Sequence, residues 1–148
     1  MSQRAHPYRH TIAVRWGEVD QQGVVFNAHY LAYMDDAMET WLRPIRALGD
    51  ELGWDMMLRR CHIEWHGPLG ACDLLDLEVA VSRFGRTSWD LDYRGTCAGR
   101  LVFTARVVYV SVAAGTSTPV ETPRQIREFM GEPIDLLAAA TGQPASPR

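Results

Sequence analysis

Residues 17–36 read GEVDQQGVVFNAHYLAYMDD, and a change of rhythm inside them decides the fold. Upstream, His10 to Trp16 alternates. Ile12, Val14 and Trp16 fall on one face, Thr11, Ala13 and Arg15 on the other, which is the period of a strand. Downstream, Tyr30, Leu31, Met34, Ala37, Met38, Trp41, Leu42 and Ile45 recur at three- and four-residue steps, the period of an amphipathic helix. Ala32, Asp36, Glu39 and Arg43 lie opposite that arc, and Asp35 lies at its border. The spacing predicts a helix from Asn27 to near Pro44, a residue that a helix interior does not accommodate. Between the two patterns sits the polar bend EVDQQG, which carries Asp20.

Four more strand patterns follow in series. Cys61, Ile63 and Trp65 alternate with His62, Glu64 and His66. Leu75, Leu77, Val79 and Val81 alternate with Asp76, Glu78 and Ala80. After a turn at FGR, Trp89, Leu91 and Tyr93 oppose Asp90 and Asp92. LVFTARVVYVSV is apolar on both faces, so it is expected inside the sheet or covered on both sides. Short turns between strands imply antiparallel pairing. PRQIREFM is a short helical candidate, and the tail at about 141–148 is expected to be flexible. The pattern is β-α-β-β-β-β, an α+β layout in one domain spanning 1–148, with its core at about 10–130. One helix covers only one sheet face, and the sheet has edges to close. A homodimer at least is therefore expected.

Composition narrows the function. The chain has 148 residues with 47% apolar and 22% charged residues, which suits one globular domain. A net charge of −3 argues against a nucleic-acid binder. No run has the length or apolarity of a signal peptide or a membrane span, so a cytoplasmic protein is expected. Cys61, Cys72 and Cys97 are odd in number and follow no metal spacing. On a strand, His62 and His66 stand about 13 Å apart at about 3.3 Å per residue, too far to share one ion. No metal site is expected. There is no G-x-S-x-G elbow for serine-hydrolase chemistry.

The stretch VDQQGVVFNAHYLAYMDDA resembles the hotdog-fold thioesterases of the 4-hydroxybenzoyl-CoA thioesterase type. The matching pattern is Asp20, Gly23, Val24, Val25, Phe26, Asn27 and Tyr30, and IEWHGPL, RFGRTSWDLDYR and PVETPRQIREF extend it over roughly residues 10 to 130. Val19 departs from it, where the family often has Thr or Cys. The resemblance implies a hotdog fold, an antiparallel sheet wrapped around one long central helix. It implies hydrolysis of an acyl-CoA or acyl-carrier-protein thioester, with no cofactor. Asp20 would be the catalytic carboxylate, as nucleophile or as general base. Gly23, Val25, Phe26, Asn27, Ala28 and Tyr30 would form the oxyanion and substrate site. Arg86, and more weakly Arg83, would meet the phosphates of CoA. The sites would lie at the interface of a homodimer or tetramer.

The first amides of a helix lack internal partners and carry about half a positive charge, so they suit an oxyanion. Asn27 is also a good N-cap residue. On spacing alone, Asp20 reads first as a turn former. Two other functions fit the same fold: a hydratase or dehydratase, for which His29 is the only nearby histidine, and a non-catalytic acyl-CoA binding dimer.

Overall fold

The computed structural model describes residues 6–138. Strand β1 (Tyr8–Ala13) is followed by a single 3-10 turn (Trp16–Glu18) and the long helix α1 (His29–Leu42). A second 3-10 turn (Arg43–Ile45) leads to α2 (Arg46–Glu51), then β2 (Trp54–Trp65), β3 (Leu74–Phe84), β4 (Ser88–Cys97), β5 (Arg100–Ala113) and α3 (Arg124–Met130). The strands form one antiparallel sheet in the order β1-β3-β4-β5-β2. The α+β expectation is met, and the doubly apolar β5 lies inside the sheet. The tail at about 141–148 lies outside the described residues.

One sheet face packs on α1. Tyr30, Tyr33, Met34, Ala37, Met38 and Leu42 of the helix join Leu75, Leu77, Val79 and Val81 of β3, Trp89, Leu91 and Tyr93 of β4, and Phe103, Val107 and Tyr109 of β5 in one core. Each large side chain among them gains about 1.5–3 kcal/mol on burial, which outweighs the modest helix propensity of the aromatic ones. The other face combines the outer valines of β5 with paired charges. Arg106 clasps Asp92 with two bonds of 2.7 and 2.8 Å, and Ser82 donates to the same carboxylate at 3.0 Å. Arg83 clasps Asp90, and Arg94 meets Glu78.

Three sequence expectations change. Trp16 is not in a strand: β1 ends at Ala13, opposite Leu74, where β3 begins, so no partner remains to extend it. Strand β2 starts at Trp54 rather than Cys61, and its pairing slips between Leu58 and Arg60. That bulge leaves both Met57 and Leu58 exposed and breaks the alternation. The buried arc of α1 includes Tyr33, while Leu31 is exposed.

Candidate active site at the start of the long helix

The chain leaving β1 is tied down first. Val14 donates to the carbonyl of Asp73 at 2.9 Å, and Cys72 returns a bond to Val14. A tight turn follows: the Asp20 amide donates to Val24 at 2.9 Å, and the Gly23 amide donates to Asp20 at 3.0 Å. Gly23 has φ +76°, a conformation that side chains disfavour, so the glycine is required here. The turn is pinned by bridges Val19–Val25 and Val24–Gly70, and by the Val25 amide on Leu69.

This turn presents Asp20. Its Oδ1 accepts the Gln22 amide at 2.8 Å, and its Oδ2 has no partner among the described residues. The carboxylate is exposed in the single chain. It lines neither the cavity of about 300 Å³ beside Leu31, Asp35 and Leu58 nor the open one of about 1020 Å³ beside Tyr8 and Trp41. Around this end of the molecule three aromatic side chains stand out of the fold: Trp16, Phe26 and Trp65 are 77%, 50% and 50% exposed.

The helix begins nine residues later, at His29. The His29 amide donates to Phe26 at 3.0 Å. The amides of Asn27 and Ala28 make no hydrogen bond among the described residues, and both residues are exposed. Asn27 does not cap the helix. Ala28 holds the cap position, and no side chain bonds to the first turn. The two amides that lead into the helix therefore stay free, at the end that carries partial positive charge.

Thus Asp20, Gly23, Val25, Phe26, Asn27 and Ala28 share one strapped loop. Val25 is buried, and its amide is spent on Leu69. Tyr30 is 3% exposed, with its ring edge-on to Trp65 and Phe103, so it seats the helix start in the core. Burial raises its phenol pKa, and the charge of Arg100 partly opposes the rise. Arg100 is a cation at this end that the sequence did not mark. It donates to the Pro68 carbonyl at 2.8 Å.

Arg83 and Arg86 are not brought here. They flank the β3–β4 hairpin turn, at the opposite end of the 11-residue β3, roughly 33 Å away at about 3.3 Å per residue. Arg83 is further committed to Asp90. Of the other helix acids, Asp36 accepts from His10 at 2.8 Å and Glu39 pairs with Arg46. His62 pairs with Glu64, and His66 meets Thr104. No group of metal-binding side chains occurs among the described residues.

Sequence reasoning missed Glu18 and Tyr33. The Glu18 carboxylate accepts the Arg15 amide at 2.8 Å and the Tyr33 hydroxyl at 2.7 Å, while its carbonyl accepts the Phe26 amide at 2.9 Å. No periodicity links positions 15, 18, 26 and 33, so only the folded loop reveals them.

Comparison with known proteins agrees with this architecture. The family model of the thioesterase-like superfamily matches residues 14–130. A 1,4-dihydroxy-2-naphthoyl-CoA hydrolase from Synechococcus elongatus is 26% identical, over 83% of this chain and 94% of that protein. The 1,4-dihydroxy-2-naphthoyl-CoA thioesterase of Synechocystis superposes with a TM-score of 0.73 at 19% identity, over 83% of this chain and 94% of the other. A probable thioesterase of Escherichia coli does so with 0.75 at 21%, over 82% and 94%. No helix among the described residues is long and apolar enough to cross a membrane.

Proposed function

Because the chain belongs to the thioesterase-like superfamily, and is a thioester hydrolase, we propose that it cleaves an acyl-CoA through Asp20 and the free amides that open α1. One observation carries this reading: a half-bonded carboxylate and two unbonded amides sit on a single pinned loop. The carbonyl oxygen of the thioester lies against the Asn27 and Ala28 amides. As the tetrahedral intermediate forms, its negative charge meets donors already in place, and the loss of one such donor typically costs about 3–4 kcal/mol. Asp20 delivers the attack, directly or through a water molecule. The free Oδ2 is the oxygen available for it, and the Gln22 amide on Oδ1 fixes the direction in which it points.

The relative named for dihydroxynaphthoyl-CoA makes an aryl acyl group the first choice of substrate, and the exposed rings of Phe26, Trp16 and Trp65 offer flat apolar surface for one. An exposed carboxylate needs a cover to exclude water. We assign that cover to a second copy, paired along β2. This 12-residue strand has β5 on one side only and exposes Met57, Leu58 and Trp65. Antiparallel pairing of β2 with its mate brings the partner's hairpin end to the Asp20 end. Arg86 of the partner subunit then supplies the cation for the CoA phosphates that the same chain cannot place.

The test is thiol release from a panel of aryl and alkyl acyl-CoAs. The wild-type protein turns over at least one aryl thioester, and Asp20→Asn abolishes the turnover. An Asp20→Asn variant as fast as wild type would remove the assignment. Change in enoyl absorbance without thiol release would make the protein a hydratase instead.

A further inference from the structure

The loop of the proposed site is not held by its own turn alone. Glu18 touches the chain at three places: the Arg15 amide and the Tyr33 hydroxyl on one carboxylate oxygen, and the Phe26 amide on its carbonyl. Asp20 lies two residues beyond Glu18, and Asn27 lies one residue beyond Phe26. Both halves of the proposed machinery therefore hang from the same residue. Tyr33 supplies the fixed point. It is 4% exposed, its ring packs edge-on to Tyr30, and it sits within the buried arc of α1.

We propose that Tyr33 and Glu18 are positioning residues, whose hydrogen bond holds the Asp20 carboxylate in register with the amides of Asn27 and Ala28. This rests on the proposed roles of Asp20 and those amides. The surroundings keep both partners in the required protonation state. Burial, the bond to Glu18 and the carboxylate charge raise the Tyr33 phenol far above its ordinary value. Burial pushes Glu18 up, but the Arg15 amide, the Tyr33 hydroxyl and the nearby charges of Arg15 and His29 outweigh it and hold the carboxyl below its ordinary value. At neutral pH the phenol is a donor and the carboxylate an acceptor. A charge-assisted bond of this kind is stronger than a neutral one, and a displacement of about 1 Å at a reacting group can cost about a hundredfold in rate.

Tyr33→Phe deletes the donor and leaves the ring. It lowers kcat for the best acyl-CoA by about ten- to hundredfold, with KM changed less than about threefold. Glu18→Gln, which keeps an acceptor oxygen, restores part of what Glu18→Ala loses. In an Asp20→Asn background, Tyr33→Phe causes a smaller loss than it does in wild type, because much of its effect passes through that carboxylate. Amide exchange of residues 18–26 reads the latch without any substrate, and it speeds up in Tyr33→Phe. Unchanged exchange overturns the latch whatever Asp20 does. Unchanged kcat in Tyr33→Phe, beside an inactive Asp20→Asn, overturns the latch and leaves the hydrolysis assignment standing. A fully active Asp20→Asn overturns both.

Discussion

Two aspartates show how the same side chain serves opposite ends. Asp92, in the middle of β4, is wholly buried and takes bonds from Arg106 and Ser82 on both of its oxygens. Asp20 is exposed on a loop, with one oxygen bonded and the other free. The first carboxylate has no capacity left for anything but holding the sheet. The second keeps one oxygen unbonded among the described residues, on the same loop as two unbonded amides, an arrangement that contributes little to folding. Saturation, rather than residue type, separates the structural acid from the proposed catalytic one.

The contrast breaks most visibly in rate. Asp20→Asn is expected to lower kcat by at least a hundredfold in a thiol-release assay, while the midpoint of urea unfolding stays put. Asp92→Asn is expected to do the reverse. It weakens the clasp on Arg106 and costs about 2–3 kcal/mol in urea unfolding, toward the low end for a buried ion pair because Arg106 itself is partly exposed. Its activity per folded molecule stays near wild type. A third change lies between the two regions. A methyl at Gly95 would collide with the Phe103 ring, which packs against Tyr30 at 5.1 Å between centroids. Gly95→Ala should therefore cost about 1–3 kcal/mol and also perturb kcat, since the strain reaches the helix start.

Smaller effects sharpen the picture. Arg86→Ala should raise KM several-fold for acyl-CoA but not for the same acyl group on pantetheine, read from paired saturation curves. The smallest effect is the acid limb of stability. The Glu18 carboxyl is held below its ordinary 4.5, so its contribution is complete above that value. It disappears as pH falls through the lowered one. Wild type and Glu18→Gln should therefore converge in unfolding midpoint in acid and differ at neutral pH.

Much of this architecture was legible because periodicity reports burial. Strands β3 and β4 and helix α3 alternate or cycle as their packing requires, and the motif from Asp20 to Tyr30 marked the loop and helix start. What stayed hidden lacked a period. The first half of β2 was unreadable because a bulge puts Met57 and Leu58 both in the open. Trp16 continued an alternation after its strand partner had run out. Arg83 was a candidate on charge and hairpin position, but periodicity could not show that its guanidinium is bound to Asp90, at the far end of β3 from Asp20 in the same chain. Tyr33 and Glu18 meet across 15 positions, a contact that only the folded loop creates.

The sheet's two borders are unlike, which bears on the pairing proposed along β2. Strand β1 is six residues long, Pro7 stands directly before it without an amide hydrogen, and the Ile134 amide takes over the neighbouring stretch of β3 at Val81. Strand β2 is twice that length and has no proline within it. A sheet with one blunted border and one receptive border has a valence of one. Strand-to-strand growth would stop at a closed pair of ten strands, and a concentrated solution would stay free of fibres.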